Sequence, residues 1–260
     1  MRVELVSTPA GEISALSWSE AGSQAPLLHF AHATGFKAQT YRRLLEPLSN
    51  RFRIVASDAR GHGRTCLLAA PENLVSWQTY EADLEHLLEV FGEPAFLIGH
   101  SIGATVSLML AARRPDLALG VAMIEPSFVP FNRAYQVAVD RREGNLIPFD
   151  IALQARKRRS IWSSQQEIRN SYSGKAMFSS WREGLLDDYL EGGLHFLDDG
   201  RVALACDPAW EAATFQAATT EFWELLPRYK GKVLLERFSV DVNRNNKGVP
   251  RGAQIRFGLL

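Results

Sequence analysis

The chain alternates between short apolar runs and longer stretches in which apolar residues recur at helical spacing. Val3-Glu4-Leu5-Val6-Ser7 and Ile13 through Trp18 flank Pro9-Ala10-Gly11, a pattern that predicts a β-hairpin. Pro26 through His32 is a compact apolar run ending in a glycine-containing turn, as expected of a strand buried on both faces. Tyr41 to Phe52 carries Leu44, Leu45 and Leu48 and reads as a helix, followed by a strand over Phe52–Ser57. Trp77–Phe91 places Leu84, Leu87, Leu88 and Phe91 on one helical face. Ala95–Ile98 then reads as a strand, Ile102–Arg113 as a helix stopped by Pro115, and Val121–Ile124 as another buried strand. Strands alternating with helices imply an α/β fold, with a mostly parallel central sheet and helices on both faces.

The rhythm changes after Glu125. From 128 to 207 the pattern is mostly helical, with no convincing core strand, and is rich in Trp, Tyr, Phe and Arg. Ala209–Leu226 reads as helix and Lys232–Leu235 returns to strand. The expected organisation is therefore a core over 1–127, a helical lid insert over 128–207, the core resumed over 208–236, and an atypical tail over 237–260. That tail is rich in Arg, Asn and Gly and carries a single acid, Asp241.

Composition narrows the function classes. The chain has 260 residues, 46% of them hydrophobic and with zero formal net charge, enough apolar content for a sizeable core. Balanced charge supplies no general field for nucleic acid or an anionic membrane. Two cysteines, Cys66 and Cys206, make no disulfide framework or zinc cluster and read as free thiols in a reducing compartment. The N-terminus lacks a signal-peptide pattern and no apolar run spans a bilayer, so a cytoplasmic protein with no membrane or nucleic-acid partner is expected. No glycine-rich phosphate motif is present, and no cofactor or metal is expected.

The candidate chemistry centres on Gly99-His100-Ser101-Ile102-Gly103. G-x-S-x-G is weak alone, but here a strand runs into it and a helix out of it, the setting of a nucleophile elbow. The competing reading is a serine that merely caps the helix. Two further motifs follow the third and fourth strands: His32-Ala33-Thr34-Gly35-Phe36 and Asp58-Ala59-Arg60-Gly61-His62-Gly63-Arg64. With all three in view, the chain resembles the α/β-hydrolase family, in its lidded group, from about Val3 to Leu235. Ala33 stands where that family usually has glycine.

The resemblance implies Ser101 as the nucleophile, with the backbone N–H groups of Ile102 and Thr34 forming an oxyanion hole. It implies that His32 organises its loop and that the Asp58–Arg64 segment is structural, with His62 at the surface. For the acid it implies Glu125, at the end of the strand after the nucleophile helix; Asp241 is the rival, eight residues after Val233. Serine at the elbow disfavours epoxide-hydrolase and dehalogenase chemistry, which need a carboxylate nucleophile. The family pattern also places a catalytic histidine near the C-terminus. The histidines here are His29, His32, His62, His86, His100 and His195, and none follows. His100 adjoins the nucleophile but should point away, and His195 lies in the insert.

After Leu235 the resemblance stops, so the final strand and helix are expected to be absent, as a truncation or frameshift would leave them. The basic run Arg156-Lys157-Arg158-Arg159 reads as the solvated face of a lid helix. Trp162, Tyr172, Phe178, Trp181 and Phe196 suit either an acyl pocket or the insert's own core. The expected activity is hydrolysis of a small-molecule carboxylic ester or related acyl substrate through an acyl-enzyme. The alternative is an impaired relative or ligand-binding module that lacks the base.

Overall fold

The computed structural model describes residues 1–217, 220–240 and 253–259. Its first half follows the sequence pattern. Strands β1 (Arg2–Thr8) and β2 (Gly11–Trp18) form the antiparallel hairpin, and β3 (Leu27–Ala31) follows. The expected helix over 41–52 is instead three short pieces: a 3₁₀ turn at Ala38–Tyr41, α1 (Arg42–Leu45) and a second 3₁₀ turn at Glu46–Leu48. Pro47 explains the break, because it cannot donate into a continuing helical ladder. Leu45 is buried while Leu44 faces solvent.

Strand β4 (Arg53–Ser57), helix α2 (Gln78–Phe91), strand β5 (Ala95–His100), helix α3 (Ile102–Arg113) and strand β6 (Ala118–Ile124) complete the first half of the core. Gly92 ends α2 in the left-handed conformation, φ 67°, that glycine adopts without steric cost.

The segment that follows contains α4 (Phe131–Glu143), α5 (Asp150–Arg156), β7 (Ile161–Trp162), α6 (Gln165–Ser173), α7 (Ala176–Ser179), α8 (Leu185–Leu190), β8 (Leu194–Phe196) and β9 (Val202–Leu204). It is not wholly helical. The three short strands form an antiparallel sheet in the order β7-β9-β8. Strands of two or three residues are too short to leave a period-two signature in sequence. Trp162, Tyr172 and Phe178 pack with Tyr189 and Val202 as a local core, whereas Phe196 is exposed.

Helices α9 (Pro208–Gln216) and α10 (Glu221–Leu225) lead into β10 (Val233–Val240), and β11 (Ala253–Leu259) closes the described chain. The central sheet has eight strands in the order β1-β2-β4-β3-β5-β6-β10-β11. Strands β4, β3, β5, β6 and β10 are mutually parallel. The expectation that no final strand exists needs correction: β11 occupies the edge beside β10. It runs antiparallel, Leu234 opposite Leu259 and Val240 opposite Ala253, unlike a strand returned by a right-handed helical crossover.

Strand alternation splits the core between the two faces of the sheet. Leu27, Val55 and Leu97 join α2 and α3 on one side, while Leu28, Phe30, Ile54 and Ala56 meet Ala38 and Leu45 on the other. Residues 102–111 of α3 are buried throughout, so this helix is enclosed rather than amphipathic. No helix among the described residues is long and apolar enough to cross a membrane. Cys66 and Cys206 are free thiols, exposed and buried respectively.

Candidate active site

Ser101 and Glu125 are the non-glycine residues with positive φ among the described residues, at 55° and 42°. Such backbone costs on the order of 1–3 kcal/mol and persists only where the surroundings enforce it. Both residues follow directly on the paired position His100↔Ile124 of the adjacent parallel strands β5 and β6. Strain is thus concentrated at the C-terminal edge of the sheet, where open α/β sheets bind ligands.

The elbow is held by its own backbone. Ser101 N–H donates to Ile124 O at 2.9 Å, and Ser101 O accepts from Ala104 N–H at 3.1 Å and from Ser127 N–H at 3.3 Å. Its glycines are needed for space. A Cβ on Gly99 would lie 2.3 Å from the carbonyl carbon of Gly103, and one on Gly103 would lie 2.3 Å from Ala31 O. The capping alternative does not describe this serine, since its side chain makes no helix-cap bond. Its Oγ is instead hydrogen-bonded to Ser127 Oγ at 2.8 Å. Ser127 is fixed in turn by Thr105, whose hydroxyl donates to Ser127 O at 2.9 Å. The sequence reading missed Ser127, because nothing in Glu125-Pro126-Ser127 signals that a hydroxyl three residues past β6 returns to Ser101.

The 32–37 loop is braced to present one amide. His32 Nδ1–H donates to Ala33 O at 2.8 Å, and Phe36 N–H donates to the same oxygen at 3.0 Å. In a trans peptide the N–H points opposite the C=O, so pinning Ala33 O aims the N–H of Thr34 the other way. Among the described residues neither Thr34 N–H nor Ile102 N–H has a hydrogen-bond partner. Both residues line a cavity of about 50 Å³ that His29, Leu84 and Val106 also border. That space suits ordered water rather than a drug-sized molecule.

His32 and His62 act as acceptors in this frame. Ala59 N–H donates to His32 Nε2 at 2.9 Å, and Gly35 N–H donates to His62 Nε2 at 3.0 Å. His62 is therefore not a surface residue: it is 1% exposed, and its Nδ1–H donates to Arg60 O. Burial pushes His32 down to about 4 and His62 to about 3, which keeps both imidazoles neutral and able to accept. Asp58 anchors the neighbouring loop by accepting from Ala38 N–H at 2.8 Å and Arg64 N–H at 3.0 Å, as its structural reading anticipates.

The remaining histidines are engaged elsewhere or lie apart. His29 Nε2 pairs with Ser57 Oγ, and His86 Nδ1 is buried without a partner among the described residues. His195 is exposed on β8. His100 is engaged by Tyr41: Tyr41 OH accepts from Ala33 N–H and donates to His100 Nδ1 at 2.7 Å. Burial lowers the His100 pKa, and the charge of Glu125 opposes that shift. Glu125 N–H donates to Glu236 O at 2.9 Å, tying the strand end to β10. Asp241 lies outside the described residues. No group of three or more His, Cys, Asp or Glu among the described residues could hold a metal ion.

The basic run of the insert is only partly solvated. Arg158 is an ion-pair partner of the buried Glu211 and also donates to the hydroxyls of Tyr172 at 3.2 Å and Tyr189 at 3.3 Å. Lys37 is buried too, with Nζ donating to Tyr189 O and lying 3.9 Å from the centre of the Tyr189 ring. Burial pushes the Lys37 amine down to about 7; Asp58 and Cys206 oppose that shift, while Arg158 and Arg64 reinforce it.

Above pH 7 the folded chain releases this proton while the unfolded chain retains it to its ordinary lysine value of about 10.4. Stability should therefore rise with pH between 7 and about 8.5, by up to roughly 1.4 kcal/mol per pH unit. Higher still, the Cys206 thiol, pushed up by burial, works in the opposite direction. Urea midpoints at pH 7.0 and 8.5 check this, and Lys37→Met should flatten the rise.

Comparison with known proteins identifies the family and the fold. The model of the Alpha/beta hydrolase family matches residues 30–251. A 2-(acetamidomethylene)succinate hydrolase from Mesorhizobium japonicum is 36% identical over 117 residues, covering 45% of this chain and 40% of that protein. Monoglyceride lipase of Mus musculus is 30% identical over 117 residues, 42% of this chain and 37% of that one. The matched region thus spans less than half the length of these curated relatives. Among solved structures, E-2-(acetamidomethylene)succinate hydrolase superimposes with a TM-score of 0.66 at 21% identity, over 90% of this chain and 79% of that one. The thioesterase domain from the curacin biosynthetic pathway gives 0.68 at 17% identity, over 90% and 82%.

Proposed function

The chain belongs to the alpha/beta hydrolase family, and from that premise we propose that it is a serine hydrolase that cleaves a carboxylic ester or related acyl substrate through an acyl-enzyme on Ser101. The observation that carries this reading is the strained Ser101, whose hydroxyl is withheld from helix capping and held at 2.8 Å from Ser127 Oγ. Two amides without a partner among the described residues, those of Thr34 and Ile102, belong to residues that border one small cavity, which Ser101 does not line.

In this reading Ser101 Oγ attacks the substrate carbonyl and its proton departs toward a base. The carbonyl oxygen becomes negative and is held by the N–H groups of Thr34 and Ile102. Each such donor is worth about 10²–10³ in rate. The tetrahedral adduct collapses, the alcohol leaves with a proton, and water repeats the sequence on the ester at Ser101. Glu125 supplies the negative charge that stabilises a cationic base. The relatives' names include hydrolase, lipase and methylesterase, which supports hydrolysis as the reaction class without choosing a substrate.

One observation favours a second reading, an impaired relative or a ligand-binding module: no described histidine hydrogen-bonds Ser101. Rapid mixing with p-nitrophenyl acetate or butyrate separates the two. A hydrolase releases a burst of up to one equivalent of nitrophenolate and then turns over steadily. An enzyme that acylates but lacks a base for the second step stops after the burst. Absence of both phases in folded protein refutes acyl-enzyme chemistry.

A further inference from the structure

We propose that Tyr189, carried by the insert, is a positioning residue for the oxyanion loop, so that the insert and the loop are set as one unit. This inference rests on the reading of Thr34 N–H as an oxyanion donor. Gly35 follows Thr34 directly and is held from both sides: its N–H by His62 Nε2 at 3.0 Å, and its carbonyl by the Tyr189 hydroxyl, which donates at 3.1 Å. His62 belongs to the core loop after β4, but Tyr189 belongs to α8, more than 150 residues after Gly35 in the chain.

The same tyrosine takes hold of the far end of the loop. Lys37 Nζ donates to the Tyr189 backbone carbonyl and sits over its ring. One residue thus grips Gly35 through its hydroxyl and Lys37 through its carbonyl and π-face, and Phe36, edge-on to the Tyr189 ring, lies between. Arg158 fixes the hydroxyl by donating to it at 3.3 Å while paired with Glu211.

Local sequence requirements fit a built contact. A Cβ on Gly193 would lie 1.8 Å from Lys37 Nζ and 2.7 Å from Tyr189 O, so only glycine admits the lysine there. Gly35 has φ 75°, and a Cβ on it would lie 2.6 Å from Glu211 Oε1. Gly35, Lys37 and Tyr189 are all buried, so the loop carbonyl has no solvent to replace the tyrosine. Packing alone would be met by phenylalanine at 189; the hydroxyl is needed only for Gly35 and Arg158.

The test is Tyr189→Phe in the full chain, read by amide hydrogen exchange over residues 33–37 and by the rate at which a fluorophosphonate labels Ser101. Exchange in that segment should quicken at least tenfold, and labelling should slow about 10–100-fold at an unchanged half-saturating probe concentration. Wild-type exchange and labelling in Tyr189→Phe would overturn the proposal. If the wild-type chain does not label at all, the serine-hydrolase reading fails, and the exchange comparison still decides the grip. Should Tyr189→Phe not fold, Lys37→Met cuts the other contact and should quicken exchange over 33–37 and 185–193; unchanged exchange there overturns the proposal equally.

Discussion

Gly103→Val should cost more than about 4 kcal/mol of stability and leave little soluble protein. The added Cβ would meet Ala31 O at 2.3 Å, and Ala31 C and His32 O at 2.6 Å. These are backbone atoms at the end of β3 and the start of the 32–37 loop, and they cannot rotate away as a side chain would. Helix α3 would have to lift off the sheet, which breaks the bond from Ser101 N–H to Ile124 O. Gly174→Ala is the control. Its Cβ would have nothing nearer than 3.9 Å, so it should change stability by no more than about 0.5 kcal/mol. Urea unfolding of the two variants beside the wild type checks the contrast.

The second large effect concerns Ser101 itself, where activity and stability should move in opposite directions. Ser101→Gly removes the proposed nucleophile and relieves a side chain from φ 55°. Relief of about 1–3 kcal/mol, less the 0.5–1 kcal/mol entropic cost of glycine, leaves a net gain of about 1 kcal/mol. That gain corresponds to about 2–4 °C in Tm. Ser101→Ala abolishes the same chemistry but keeps a Cβ at the strained position, and so should not share the gain. In an intact triad the loss of serine lowers kcat by about 10⁶, which is the upper bound for a chain in which no described histidine hydrogen-bonds Ser101. Thermal melts with nitrophenyl ester assays on both variants test the pairing. Lower stability in Ser101→Gly would show that the elbow stores no strain.

Much of the core was legible because its signals are local. The alternation of Leu27 and Leu28, the stripe Leu84-Leu87-Leu88 and the glycines of the elbow each report on neighbours within one turn or one strand. What escaped depends on partners distant in sequence. His62 lies in a polar, glycine-rich loop that reads as surface, yet Gly35 N–H and the Trp210 indole, donating to Arg60 O, draw that loop inward. Arg158 sits in a basic run with no local acid, and its partner Glu211 is 53 residues away. Ser127 and Tyr189 have no spacing that links them to Ser101 or Gly35.

At the end of the chain the sequence reading went astray for another reason. A weakly periodic, arginine- and asparagine-rich stretch looks unfit for a sheet. An edge strand, however, needs only backbone pairing on one side, and β10 offers it from Leu234 to Val240. The histidine that the family resemblance places near the C-terminus has no counterpart after His195 in the given sequence.

The central claim is that Ser101 is an activated nucleophile. Incubation with a fluorophosphonate, followed by intact mass and peptide mapping, addresses it most directly. One adduct per chain on the peptide containing Ser101, absent from Ser101→Ala, is the predicted result. Folded wild-type protein that gains no mass, or that is modified elsewhere while Ser101 stays free, would contradict it.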